Sequence, residues 1–143
     1  MKRGLIISIL SIVLMMLYVG FIVVPDSPPA NKYELKVIKI DGEWKVVDAS
    51  DYSKTRVKVK QKDTIVWTVA GTNTYFQFPV KLFNPVGTAD SLIGGYTKFV
   101  RDGKKLKLKV KDDAPAGTYE YAVFCAADGV FARGESPPNI VIE

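Results

Sequence analysis

GTYEYAVFC, residues 117–125, decides the fold class. Tyr119, Tyr121, Val123 and Cys125 alternate with Glu120, Ala122 and Phe124. A period of two built from aromatic and β-branched residues is the signature of a half-buried strand. Asp112-Asp113-Ala114-Pro115-Ala116-Gly117 precedes it and reads as a turn, because Pro115 presets φ and Gly117 reaches conformations that other residues avoid. The stretch is therefore expected to be the penultimate strand of a β-sandwich. It ends in a loop beside Cys125, the only cysteine in the chain.

Working outward, the same signals recur. Tyr33 to Ile40 reads as a strand, Asp41-Gly42 as a two-residue hairpin turn, and Trp44 to Val47 as the returning strand. Thr55 to Lys60 alternates, Gln61-Lys62-Asp63 turns, and Thr64 to Val69 is an apolar strand. Tyr75-Phe76-Gln77-Phe78 is a short aromatic strand ended by Pro79. The stretch 81–95 is irregular, broken by Pro85, Gly87, Gly94 and Gly95. Tyr96 to Arg101 and Lys104 to Lys111 flank Asp102-Gly103, a second hairpin signal. In the latter run Leu106, Leu108 and Val110 face one way, and Lys105, Lys107, Lys109 and Lys111 the other. Ile140-Val141-Ile142 closes the chain. Short strands at this spacing, with no helical period beyond the N-terminal segment, predict an all-β, antiparallel Greek-key sandwich over residues 32–143.

Residues 1–24 read differently. Leu5 to Val24 is a 20-residue run without a charge, apolar except for Ser8, Ser11 and Tyr18. At about 1.5 Å per residue it can cross a hydrocarbon core as a transmembrane helix. It exceeds the usual signal-peptide core, and no small-x-small cleavage site follows, so an uncleaved anchor is favoured over a cleaved signal. Lys2 and Arg3 should stay in the cytoplasm, which puts the C-terminal domain in the periplasm or outside the cell, as in a bacterial envelope. Residues 25–31, PDSPPAN, form a stiff Pro-rich linker.

Composition excludes more than it assigns. The chain has 20 Lys+Arg against 15 Asp+Glu, a net charge of +5. Setting aside Lys2 and Arg3 leaves 18 basic and 15 acidic residues, or +3. That excess is too mild and too scattered to point to nucleic acid. There is no histidine, so the usual general base and the commonest metal ligand are missing. With one cysteine no intrachain disulfide can form, and the core alone must hold the fold.

The order of parts resembles the cupredoxins, the blue-copper β-sandwich family. Gln61-Lys62-Asp63-Thr64-Ile65-Val66-Trp67 is similar to the family's Gly-Asp-Thr-Ile-Val-Trp strand. Ala114-Pro115-Ala116-Gly117-Thr118-Tyr119-Glu120-Tyr121 is similar to its approach to the ligand strand, and Ile140-Val141-Ile142 to its closing strand. The resemblance implies a copper site with one histidine near 73–75, a cysteine at Val123, and a second histidine and a methionine within 126–134. None is present at those positions. Cys125 lies two residues past the family position and keeps its strand parity, so it should point inward. A type 1 copper site needs two imidazoles and a thiolate. The chain resembles a divergent member without the copper ligands, for which no cofactor is expected.

Each remaining signal has two readings. Cys125 is either a soft Cu(I) ligand or redox thiol, or a small buried apolar side chain, and the second is favoured. Tyr75, Phe76, Phe78, Phe83, Phe124 and Phe131 either form an apolar recognition patch or fill the space where the family holds copper. The lysine stripe is either a contact for anionic partners or a solvated strand face that discourages edge pairing. Asp128 and Glu135 could join Cys125 around a cation only by mixing hard and soft ligands. The expected function is a non-catalytic binding or assembly module for another envelope protein. It would present the loops at 71–79, 81–95 and 126–138, with Tyr75, Phe76, Phe78, Phe83 and Phe131 as candidate contacts. The alternative is Cu(I) or electron handling at Cys125.

Overall fold

A computed structural model describes residues 29–79, 82–84, 96–134 and 137–143. The expected anchor at 1–24 and most of the loop at 81–95 lie outside these residues. No helix among the described residues is long and apolar enough to cross a membrane.

The described residues form strands only, and the strands build a sandwich. β1 (Lys32–Ile40) and β2 (Glu43–Asp48) form the expected hairpin. Its turn residues Asp41 and Gly42 have φ of 53° and 83°, the left-handed pair that a two-residue turn of this hand requires. β3 (Arg56–Val59), β4 (Thr64–Val69), β5 (Thr74–Phe78), β6 (Phe83–Asn84), β7 (Tyr96–Val100) and β8 (Lys105–Val110) follow. The chain closes with β9 (Gly117–Glu120), β10 (Ala122–Cys125), β11 (Val130–Phe131) and β12 (Asn139–Ile142). One sheet has the order β2-β1-β4-β8-β6, a second β11-β10-β5-β7, and a third β3-β12-β9.

Three expectations are corrected. The sandwich is not purely antiparallel, since β1 pairs with β4 and β3 with β12 in parallel. A period of two is the same for both kinds of pairing. The sign of a doubly covered strand is a nearly unbroken apolar run, and β4 shows one: Ile65, Val66 and Trp67 are all buried. Second, Asp102-Gly103 does not join a hairpin. β7 pairs with β5 in one sheet and β8 with β4 in another, so the turn is a corner between layers. Asp102 is pulled across by its neighbours: its carboxylate accepts from the Gly71 amide at 2.6 Å, and its own amide donates to Asn73 Oδ1 at 3.0 Å. Third, the run at 117–125 is two strands. β9 pairs with β12 and β10 with β5, and Tyr121 at the break donates its amide to Pro138 O at 3.0 Å. The parity of the run survives the break, with Tyr121, Val123 and Cys125 all buried.

The core lies between the sheets and centres on Trp67. Its ring sits 5.9 Å from Phe76, 5.2 Å from Phe78, 6.0 Å from Phe83 and 5.9 Å from Tyr121. Edge-on and tilted pairs of this kind stabilise beyond their buried area. Trp67 Nε1 donates to Tyr121 Oη at 3.1 Å, which satisfies the one polar atom of a fully buried indole. At the other end of β4 a buried carboxylate does a similar task for the backbone. Asp63 accepts from the Asn31 amide and from the Lys60 amide, both at 2.7 Å.

Two outcomes follow from these contacts. Phe78→Ala should cost about 3–5 kcal/mol by chemical denaturation, as for other large buried rings. Tyr121→Phe should cost about 1–3 kcal/mol, because it leaves the Trp67 N–H buried and unpaired; an unchanged denaturation midpoint would show that the indole N–H finds another acceptor.

Candidate functional site

Cys125 ends β10, paired with Thr74 of β5 and Val130 of β11. The strand parity read from the sequence holds, and the thiol points inward with no exposed surface. Burial pushes it up to about 11, and the Asp128 carboxylate adds in the same direction. At neutral pH it is a thiol and not a thiolate, the reverse of an activated cysteine. The position expected for the family's first histidine is built for backbone work. Asn73 O accepts the Ala126 amide at 2.9 Å, and Thr74 beside it is buried. Among the described residues no three His, Cys, Asp or Glu side chains gather in a group that could hold a metal ion.

The candidate aromatics divide between the core and one surface. Phe76, Phe78 and Phe83 are buried around Trp67 and fill the core. The burial of Phe76 and Phe78 follows from β5 parity, since Thr74, Phe76 and Phe78 face in while Tyr75 and Gln77 face out. Tyr75 and Phe131 are exposed, at 47% and 64%.

Two further rings join them. Phe99 of β7 lies opposite Tyr75, Tyr75 opposite Phe124 of β10, and Phe124 opposite Phe131 of β11. The four form one continuous row across all four strands of the β11-β10-β5-β7 sheet. Ring centroids are 4.9 Å apart for Phe99–Tyr75, 6.4 Å for Tyr75–Phe124 and 5.3 Å for Phe124–Phe131. The next row on the same face is Thr97, Gln77 and Ala122. No charged side chain stands in either row, although 24% of the chain is charged. The opposite sheet shows the contrast. Lys105, Lys107 and Lys109 of β8 are exposed there, as their alternation with Leu106, Leu108 and Val110 predicts.

One end of the aromatic row borders a cleft of about 730 Å³ lined by the β1–β2 turn and the loop after Cys125. Asp128 holds it together: its Oδ2 accepts from Lys39 Nζ at 2.8 Å and from Trp44 Nε1 at 2.6 Å. These two donors keep the Asp128 carboxyl below the usual carboxylate range. Arg133 and Glu43 pair across the rim at 3.3 Å. Asp128 is thus a structural acceptor for an indole and an ammonium, and it does not join Cys125 around a cation. Phe99, Trp44 and Lys39 are members of these surfaces that the sequence reading passed over. Phe99 shares parity with Thr97 in the alternation, but only the pairing of β7 with β5 puts it beside Tyr75.

No protein-family model and no curated protein matches the chain. Solved structures of amicyanin, a cupredoxin, align with it at low identity. An oxidised amicyanin mutant is 17% identical with a TM-score of 0.45, covering 78% of this chain and 82% of that one. A Cu(I) amicyanin mutant is 15% identical with a TM-score of 0.43, covering 81% and 95%. At these scores the alignments add nothing to the strand pairings, which carry the sandwich by themselves.

The thiol gives two measurable outcomes. At pH 8 a group titrating near 11 is thiolate about a hundredfold less often than an ordinary cysteine, so maleimide labelling of Cys125 in the folded chain should be slower by at least that factor. Labelling at the rate of a free thiol would mean the side chain is open to solvent. The raised value also makes the neutral thiol the form the fold prefers. Its stabilising contribution is complete below the unfolded value near 8.5–9 and is lost as pH rises towards about 11. The unfolding midpoint should fall across that window, and Cys125→Ala should flatten the fall.

Proposed function

We propose that this chain is a membrane-anchored, extracytoplasmic domain of cupredoxin-like architecture. It works as a non-catalytic binding module that holds another protein chain of the envelope, and it has no type 1 copper site. One observation carries the reading: on the outer face of the β11-β10-β5-β7 sheet four contiguous aromatic side chains form a row that, with the row beside it, holds no charge, and three of the four are among the most exposed large hydrophobics of the described residues. A soluble surface rarely sustains such a patch unless something covers it. Aromatic side chains are also the residues enriched in protein interfaces. The uncharged run Leu5 to Val24 supports tethering, and a tether raises the effective concentration of partners beside the bilayer.

The alternative, Cu(I) or electron handling at Cys125, has less behind it. The thiol is buried and shifted towards its neutral form, and the chain has no histidine to complete a site. A thiol nucleophile at Cys125 would need a base, and among the described residues the Asp128 carboxylate in the loop that follows it is already committed to Lys39 and Trp44.

The test compares three changes in the full-length chain in its membrane, read by crosslinking. Phe131→Ser and Tyr75→Ser should each lower capture of the partner at least tenfold while the unfolding midpoint moves little, since both rings are half exposed. Cys125→Ser should leave capture unchanged. Loss of function with Cys125→Ser alone would replace this reading by the metal one.

A further inference from the structure

We infer that the partner this aromatic face fits is a second copy of the same chain, so that the protein forms a face-to-face homodimer. The inference rests on the binding-module reading above and names its occupant.

Charge decides between the available surfaces. The domain carries a net positive charge, and its lysine-bearing sheet face would bring Lys105, Lys107 and Lys109 against the same residues of another copy. Like charges across an interface are costly and exclude that contact. On the β11-β10-β5-β7 face the aromatic row and the row beside it hold no charge, Glu120 standing only beyond Ala122 at their border, so a second copy can meet these rows without like charges inside the contact. A strongly charged partner would find no counter-charge within those two rows.

The row also has the arrangement that a two-fold axis needs. A closed pair of identical chains uses the same patch on both copies. Let the axis lie in the contact plane and run along the strands, between Tyr75 and Phe124. It then sets Phe131 of one chain against Phe99 of the other, and Tyr75 against Phe124. Each ring meets a ring, and the two outer pairs are equivalent. Aligned packing of two sheets tolerates such a contact, with strands crossing at about 30°.

Size sets the strength. Four strands at about 4.8 Å spacing make a face roughly 15–20 Å wide. Covering it on both copies removes about 1,000 Å² in total, the low end for a specific interface. The pair should therefore be weak in dilute solution and be reinforced when both chains are confined to one bilayer.

The test uses the full-length chain in its membrane. Cys125 is buried, so a single introduced thiol reports the contact. Gln77→Cys, on the aromatic face, should give a covalent dimer with a short bismaleimide, and Lys107→Cys, on the lysine face, should not. In the Gln77→Cys background, Phe131→Lys or Phe99→Glu alone should cut the dimer yield at least tenfold. Mixing the two variants should restore it, because the two-fold arrangement puts Lys at one position against Glu at the other. Protection of Cys125 from the reagent checks folding in each variant. Equal crosslinking from both faces, or failure of the mixture to recover, overturns the dimer. If no dimer forms and the charged variants still lose a different envelope protein, self-association fails and the binding module stands. If the charged variants change neither, both fail.

Discussion

The indole of Trp67 is the contact on which the rest of the sandwich depends. It stands on β4, in the middle of the five-stranded sheet, and reaches Phe76 and Phe78 on the facing sheet. On its own sheet it meets Phe83 of the short β6. Its N–H is held by Tyr121, which sits where the chain passes from the third sheet to the second. One side chain thus joins the two facing sheets and the point where the chain crosses from the third. With no disulfide possible, nothing covalent substitutes for that contact. The same packing takes up three of the aromatics that the sequence offered for recognition: Phe76, Phe78 and Phe83 are buried around the indole.

The division of labour among aromatics follows from strand parity. On β5 the inward residues build the core while Tyr75 and Gln77 look outward, and one residue of slip would exchange the two sets. The outward set is then extended by whichever strands lie beside β5. Because β7 and β10 flank it and β11 completes the edge, three rings from distant parts of the sequence come into line with Tyr75. On β8 of the opposite sheet the same rule turns Lys105, Lys107 and Lys109 outward. The molecule therefore has one face that solvent and charge can satisfy and one that they cannot. Cys125 belongs to neither; it is a core residue near the top of β10, shielded by the loop that Asp128 pins to Trp44 and Lys39.

Much of the fold was legible because its signals are local. The Asp41-Gly42 turn, the alternation of Leu106, Leu108 and Val110 with lysines, and the inward parity of Cys125 all depend on neighbours in sequence. What was not legible depends on pairing. The parallel partnership of β1 with β4 leaves no trace in a period of two, and Asp102-Gly103 has the composition of a hairpin whether its flanking strands pair or part. The short β11 is two residues long, too short for a periodic signal. The candidate site suffered most from this. Tyr75 and Phe131 could be nominated by residue type, but whether a ring points to the core or to solvent, and whether Phe99 stands beside it, are properties of the sheet order.

The buried carboxylate of Asp63 carries a mechanical meaning. It grips the amide of Asn31, where the chain joins the domain, and the Thr64 amide holds Asn31 O at 2.8 Å. From there β1 runs between β2 and β4 with hydrogen bonds on both flanks. Tension applied through the preceding segment along β1 therefore loads both ladders in shear. The bonds must stretch together and cannot open one after another, as they would at a peeled edge. Glu143 donates its amide to Val59 O close to the same end, so Asn31 and Glu143 lie at one pole of the sandwich. The aromatic row stands on the other sheet, away from the two ladders that such a load would stretch.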